Sequence, residues 1–520
     1  MAEPGGGLAQ QPYADIAQTH SAVIFFAGDR AYKLKKPVNL GFLDFSTAAA
    51  RAAACARETE LNRRYAPDVY LGVAEVRDPA GQPCDHLVVM RRMPAGRRLS
   101  ALVRAGDPVT GPLRQVARVL AAQHASAPRS PQIDAAGSRD ALRRRWDDNL
   151  EQAMSVRDRL LDTQDIAETG ELARQFLAGR QPLFDSRISG GHVVDGHGDL
   201  LADDIYCLDD GPRILDCLEF DDRLRWLDGL DDAAFLAMDL ERLGAAELAR
   251  RFADWYAEYS GDPAPASLRH HYVAYRAFVR AKVSCIQARQ GDAGAAGQAR
   301  QLAEITLRHL RAGAVTLVLI GGLPGTGKSA LAGAVADRLG FCVLSSDRVR
   351  KELAGAPPRR GGALPYGTGI YSAAWTERCY AELLRRAAVL LASGESVIID
   401  ASWTSAQQRA AAAAVAGDAS ARLVQLCCTA SPELARQRMA TRPDGLSDAD
   451  AAIARHMAAA MAPWPAATVI DTERGGAGGE QAPSGASGAF EDLVQRALEA
   501  VRPHGADHVW RPARPVLLPD

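Results

Sequence analysis

Lysine is nearly missing from this sequence: of 61 basic side chains only six are lysines, Lys33, Lys35, Lys36, Lys282, Lys328 and Lys351. A lysine retained in such a chain marks a place where a compact ammonium serves and a planar guanidinium does not. For Lys35, Lys36 and Lys351, chance survival under a coding bias explains the residue equally well. The nine cysteines form no C-x-x-C pair and no metal-ligand spacing, and Cys427 and Cys428 are adjacent in an apolar run. They read as small buried hydrophobes of a reducing compartment. No apolar run approaches the ~20 residues that cross a bilayer. The first residues, MAEPGGGLAQQ, lack the basic and apolar regions of a signal peptide. A net charge of −2 gives no global footprint for nucleic acid or membrane. These absences together predict a soluble, cytoplasmic protein whose partner is a small molecule, with no nucleic acid and no membrane. They leave the oligomeric state open. At 520 residues, 47% of them hydrophobic, the chain is long enough for two or three cores.

The most informative stretch runs from Gly322 to Ser329, Gly322-Leu323-Pro324-Gly325-Thr326-Gly327-Lys328-Ser329. It fits G-x-x-x-x-G-K-[ST], a loop that cradles nucleotide phosphates. Val315 to Ile320 before it is a continuous apolar run, as in a strand buried in a parallel sheet, and Ser329 to Leu339 after it reads as a helix. Glycines let the backbone wrap the phosphates, whose oxygens meet N–H groups at the helix start. Lys328 would reach the outer phosphates of ATP, and Ser329 would hold Mg²⁺.

Upstream, Ala22 to Ala27, Gly28-Asp29 and Ala31 to Lys35 predict a β-hairpin with lysines on its returning strand. A helix is expected from about Thr47 to Arg64, carrying Glu58 and Glu60, and a strand over Leu87 to Met90 running into Met93-Pro94-Ala95-Gly96. The chain from about 111 to 180 reads as mostly helical. His197-Gly198-Asp199-Leu200 follows, then Arg213 to Glu219, read as a strand carrying Asp216. Hairpin lysine, helix glutamate, linker, His-x-Asp and a later aspartate form the order in which protein kinases deploy their groups. More closely, His197-Gly198-Asp199-Leu200 resembles the motif of aminoglycoside phosphotransferases, which share the bilobal kinase fold, over roughly residues 20 to 290. The resemblance implies that Lys33 binds the α/β-phosphates and is held by Glu58, a better match than Glu60. Asp199 would then accept the proton of the acceptor hydroxyl, and Asp216 would bind Mg²⁺. Asp204 occupies a metal position where these enzymes carry Asn. Leu201 stands where they usually carry His. Both departures put turnover at this site in question. Glu219, Asp221 and Asp222 fit a solvated acidic loop as well as a second metal ligand. Arg276, Arg280 and Lys282 could line a pocket for an anionic or hydroxylated acceptor, or a plain surface face.

In the C-terminal half, Phe341 to Asp347 reads as a strand ending in an aspartate, with Asp347 and Arg350 forming D-x-x-R, and Ser396 to Asp400 as another. Ligands of parallel α/β sheets sit at the carboxyl ends of strands, so Asp347 and Asp400 should face the loop. This half resembles the small P-loop kinases: polynucleotide kinase, gluconate kinase and zeta toxin. The resemblance makes Asp347 the base on the acceptor hydroxyl and Asp400 the acidic group on Mg²⁺. Arg436, Arg438 and Arg442, after a strand over Leu423 to Cys427, resemble lid arginines that neutralise the transferring phosphoryl group. Trp403 and Tyr371 fit core or surface packing better than acceptor contact.

The whole chain is similar to the bifunctional aminoglycoside phosphotransferase/ATP-binding protein family. That implies an α/β and α+β fold in two domains: a bilobal kinase-like domain over 1–300, a parallel-sheet P-loop NTPase domain over 313–475, and a flexible tail with a short helix over 476–520. The implied activity is ATP-dependent phosphoryl transfer to a hydroxyl. Two alternatives stay open: catalysis by the P-loop domain alone, with the N-terminal domain as a binding or regulatory module, and a toxin-like or mechanical ATPase.

Overall fold

A computed structural model describes residues 13–19, 21–39, 44–157, 160–355, 368–441, 451–473 and 484–502. Its contacts divide the chain into two compact units. The first comprises Met1–Leu161, Asp185–Ala264 and Tyr272–Thr306, and the second Asp162–Phe184, Pro265–His271 and Leu307–Asp520.

The first unit opens with β1 (Ala14–Gln18), β2 (Ala22–Ala27) and β3 (Arg30–Lys35), then α1 (Ala48–Asn62), β4 (Tyr70–Arg77) and β5 (Pro83–Arg91). The five strands form an antiparallel sheet in the order β1-β2-β3-β5-β4. The two-residue turn between β2 and β3 needs Gly28, whose φ is +58°. Lys33 and Lys35 are two apart on β3, so the strand's period of two puts them on one face. Helix α1 starts where the Thr47 hydroxyl accepts from the Ala50 N–H at 3.1 Å. Arg51, Cys55, Glu58 and Asn62 are buried at helical spacing along it. Glu58 therefore lies on the buried stripe, while Glu60 is exposed and paired with Arg57.

The rest of this unit is mainly helical: α2 (Thr110–Ser126), α3 (Arg139–Val156), α4 (Gly229–Arg242), α5 (Ala246–Ser260) and the part of α6 (Ala266–Arg289) from Tyr272 onward. Between α3 and α4 lie two small antiparallel ladders. One pairs β6 (Val193–Asp195) with β9 (Trp226–Asp228), the other β7 (Ile205–Leu208) with β8 (Gly211–Ile214). Tyr206 and Leu215 share a buried cluster with Cys55, Tyr70, Val88 and Met93, which fixes the β7–β8 hairpin beneath the five-stranded sheet. The sequence placed Asp216 on a strand; β8 ends at Ile214, and Asp216 lies beyond it with φ +64°. A left-handed aspartate is strained, and such strain concentrates where a side chain must be aimed.

The second unit contains β10 (Thr316–Gly321), α7 (Lys328–Leu339), β11 (Cys342–Ser345), α8 (Ser346–Leu353), α9 (Ala373–Ala392), β12 (Val397–Asp400), β13 (Arg422–Thr429), α10 (Pro432–Ala440), β14 (Thr468–Asp471) and α11 (Ser484–Val501). Its five strands are parallel, in the order β11-β12-β10-β13-β14. β10 is buried at every residue, which accounts for its unbroken apolar run. The sequence had Phe341 to Asp347 as one strand ending in the aspartate. Instead β11 stops at Ser345 and Asp347 sits in the first turn of α8, because Ser346 to Leu353 satisfies its hydrogen bonds as a helix. The helix expected in a flexible tail joins the core: Leu493, Val494, Ala497, Leu498 and Val501 bury one stripe of α11 with Leu331, Val335 and Ile470. Most of the Gly475–Gly488 stretch lies outside the described residues.

Candidate active sites

In the first unit the β3 face meets the buried stripe of α1. Lys33 Nζ donates to Glu58 Oε1 at 2.9 Å and to Asp216 Oδ1 at 2.7 Å. Lys35 Nζ donates to Glu58 Oε2 at 2.7 Å and to Glu219. Glu58 is fully buried, and burial alone would raise its pKa; two ammonium groups outweigh that and lower it. Burial likewise opposes the charge of Lys33, yet Asp216, Glu58 and Glu219 hold its pKa well above the ordinary value. Lys33 attracts Asp216 strongly enough to lower that carboxyl's pKa. Sequence reasoning found Lys33, Glu58 and Asp216 but not the second ion pair, Lys35 with Glu219. The scarcity of lysine was the available signal. Removing the Glu58 carboxylate strands two buried ammonium groups, so Glu58→Ala should cost about 3–5 kcal/mol of stability. Thermal unfolding measures it; an unchanged melting temperature would contradict the bridging role.

His197 to Asp199 hangs between β6 and β7 and is pinned from below. Asp232, near the start of α4, accepts the His197 N–H at 2.7 Å and the Gly198 N–H at 2.9 Å. Its Oδ2 also lies 3.0 Å from His124 Nε2. Against full burial these contacts hold its pKa below the usual carboxylate range, so it stays an anion aimed at the loop. The His197 Nε2–H donates to the Leu215 carbonyl at 2.9 Å, tying the loop to the segment that carries Asp216. The sequence reading missed Asp232. Two consecutive aspartates inside the otherwise apolar stretch Gly229–Met238 were the visible cue.

Asp199 is partly buried, and burial raises its pKa, with the nearby charge of Arg280 as the largest opposing influence. Asp204 goes well above the ordinary range, through burial first and then repulsion by Asp216 and Asp199. Three carboxyl groups thus feel one another where a cation would relieve them, although the described residues contain no group of three or more acidic, His or Cys side chains gathered closely enough to hold a metal. A nucleotide-borne Mg²⁺ needs only one or two protein carboxylates, since phosphates and waters complete its shell.

In the second unit the loop 322–327 joins β10 to α7 through three left-handed glycines, Gly322 (φ +138°), Gly325 (φ +81°) and Gly327 (φ +83°). A Cβ on Gly322 would lie 2.5 Å from the Cys428 carbonyl oxygen, and one on Gly325 2.4 Å from that of Ala435. Only glycine fits this cradle. Gly327 caps α7 without a side chain, so no side chain competes for the first N–H groups of the helix, at Lys328 and Ser329. Ser329 is exposed there, and Leu323, Pro324 and Thr326 complete the turn, with the Thr326 hydroxyl donating to the Leu323 carbonyl at 2.8 Å.

The sheet register brings Asp400 level with Ile320 on β10 and Ser345 on β11, so its carboxylate stands at the strand ends next to the loop. Between them lies Cys428, whose thiol burial pushes up to about 12 while feeling both Lys328 and Asp400. Asp347 is half-buried in the first turn of α8, whose N-cap is Ser345; Asp347 is therefore not the helix cap. Arg350 is buried and donates to the Ile370 carbonyl at 2.7 Å and the Thr376 hydroxyl at 3.2 Å, and stacks on Tyr371. That anchors the 369–371 turn. Arg438 donates to Thr472, whose hydroxyl in turn lies 3.0 Å from the Thr326 carbonyl, bracing the loop. Arg436 is exposed, and Arg442 lies outside the described residues. Trp403 is fully buried, with its Nε1–H on the Ile399 carbonyl.

Each unit gathers cationic or N–H donors where phosphate oxygens can lie, with carboxylates beside them. Residues 317–464 match the family model described as an AAA domain. An uncharacterized protein of Mycobacterium tuberculosis, Rv2004c, is 46% identical over 465 residues, covering 89% of this chain and 93% of the relative; a Mycobacterium bovis protein aligns equally well. Among solved structures, a choline/ethanolamine kinase family protein from Mesorhizobium loti is 18% identical, covering 59% of this chain and 92% of that one at a TM-score of 0.37. A gluconokinase from Sinorhizobium meliloti is 18% identical, covering 36% and 94% at a TM-score of 0.23. The chain belongs to the family of these mycobacterial proteins.

Proposed function

We propose that the protein is an ATP-dependent phosphotransferase with two nucleotide sites, one in a kinase-like domain over residues 1–300 and one in a P-loop domain over 313–475. The observation that carries the reading is the Lys33 ammonium held between Glu58 and Asp216, 2.9 and 2.7 Å away. This is a cation placed by burial and pairing where α/β-phosphates would lie. Asp199 would accept the acceptor's hydroxyl proton, and Asp204 and Asp216 would hold Mg²⁺. In the second domain Lys328 and the N–H groups of the loop would grip the phosphates. Ser329 and Asp400 would hold Mg²⁺ there, Asp347 would act as base, and Arg350 would position the segment around Tyr371. Mg²⁺, when bound, neutralises charge on the phosphate oxygens.

A second reading keeps only the P-loop domain catalytic. It is favoured by Asp204, a carboxylate in place of the amide of related kinases, with a pKa raised by burial and then by like charges. Transfer of labelled γ-phosphate to a panel of sugars, hydroxy acids, nucleosides and oligonucleotides separates the two. Under the first reading Asp199→Ala and Lys328→Ala each remove a different activity. If Asp199→Ala changes nothing and Lys328→Ala removes all turnover, the second reading replaces it.

A further inference from the structure

An arginine with no carboxylate partner stands near Asp199, alongside the carboxyl groups of Asp204 and Asp216. On α6, Arg276 and Arg280 are one turn apart and share a face. Arg276 is neutralised: its Nε and Nη2 donate to the two oxygens of Asp231 at 2.7 and 2.8 Å. Asp231 adjoins Asp232, the anchor of the His197–Asp199 loop, so Arg276 reaches the helix turn that holds that loop. Arg280 makes no side-chain hydrogen bond or ion pair with any described residue, yet its charge acts on Asp199.

Arg145, on α3, lies against α6. Its guanidinium lies 5.9 Å from the Tyr275 ring centre, its charge acts on Asp231, and its buried Nε has no hydrogen-bond partner. An unsatisfied buried guanidinium nitrogen is costly unless a ligand supplies the acceptor.

Four carboxylates at the start of α4 and along it are engaged elsewhere. Asp231 serves Arg276, Asp232 serves the loop and His124, Asp228 serves Arg187, and Asp239 serves Arg242 and the Ala202 N–H. Lys282 spends two of its donors on Asn149 and Gln152, with the charge of Asp148 close by. A polycationic acceptor would meet like charge at Arg280 and Arg145.

We propose that the N-terminal acceptor is an anion: a hydroxyl compound bearing a carboxylate or phosphate, gripped by Arg280 and Arg145 while its hydroxyl lies against Asp199. This rests on the transfer reading above. In that step the acceptor O–H gives its proton to Asp199, its oxygen bonds to the γ-phosphorus, and the bond from that phosphorus to the bridging oxygen breaks, its electron pair leaving on ADP. Planar guanidinium groups suit the bidentate geometry of either anion.

The test uses the full chain carrying Lys328→Ala, so that only the N-terminal reaction is read. Gluconate and 6-phosphogluconate are compared with glucose, glucosamine and kanamycin. The anions should be phosphorylated at the lowest KM. Arg280→Ala should raise that KM about 10- to 100-fold, the worth of a charge-assisted contact, with kcat within about threefold. Arg280→Lys should recover part of the loss. A lower KM for glucosamine or kanamycin, or an anion KM indifferent to Arg280→Ala, overturns the proposal. Calorimetric titration with 6-phosphogluconate stands apart from turnover. Binding that is lost in Arg280→Ala without any phosphorylation upholds the anion site and sinks the transfer reading. No binding to the parent chain overturns the anion site and leaves the transfer reading standing.

Discussion

Asp199→Ala should lower phosphoryl transfer at the N-terminal site by about 10²–10⁴-fold, the range a positioned general base supplies, and leave the P-loop reaction unchanged. The side chain can be lost without unfolding the loop, because the fixed points are elsewhere: the His197 and Gly198 N–H groups on Asp232 and the His197 ring on Leu215. Thermal unfolding of the variant should therefore match the parent within the error of the method, while kcat collapses. The pH dependence follows from burial. Asp199 has a pKa above the ordinary aspartate value, and it serves as a base only when deprotonated. Activity should be full above that raised pKa and fall as pH drops through it, so the acid limb lies higher than for an exposed aspartate. A profile of kcat/KM measured in the Lys328→Ala chain checks this. An acid limb at or below the ordinary aspartate range would remove Asp199 from the role.

The second large effect belongs to the phosphate loop. Lys328→Ala should reduce turnover in the P-loop domain by at least about 10²–10³-fold, typical of losing one preorganised electrostatic contact to a charged transition state. Gly325→Ala should match it by a different route. At φ +81° an L-residue is strained, and the new methyl would meet the Ala435 carbonyl at 2.4 Å, a backbone atom that cannot swing aside. The cradle would have to open, so nucleotide affinity should fall with it. Equilibrium titration of a nucleotide analogue, with the N-terminal site silenced by Lys33→Ala, reads both variants. A Gly325→Ala chain that binds as tightly as the parent would show that the loop does not touch phosphate.

Much of this arrangement was legible before any coordinates, and the reason is local. A P-loop is one contiguous turn whose glycines, lysine and flanking strand and helix all lie within about 25 residues of sequence, so pattern and geometry coincide. The β2–β3 hairpin announced itself through Gly28-Asp29 in the same way. Helix α1 was placed to within two residues, and its 3.6-residue period separates Glu58, on the buried stripe with Cys55 and Asn62, from exposed Glu60.

What sequence could not show depends on residues far apart. Lys35 finds Glu219 across 184 positions, and Asp232 finds His197 across 35. Nothing in either neighbourhood names its partner. Asp347 was assigned to a strand end and Asp216 to a strand because apolar runs were extended too far. β11 gives way to a helix at Ser346, and Asp216 turns left-handed to reach Lys33. Helix α11 was read as a tail because Gly and Ser surround it, whereas its apolar stripe closes the core of the parallel sheet. The D-x-x-R motif gave no sign that Arg350 Nη1 donates to Ile370 and Thr376, residues 20 and 26 positions away.

The most direct test counts nucleotides. Calorimetric titration of the full chain with a non-hydrolysable ATP analogue and Mg²⁺ should give two sites, one removed by Lys328→Ala and the other by Lys33→Ala. A single site that Lys328→Ala abolishes and Lys33→Ala leaves intact would contradict the account.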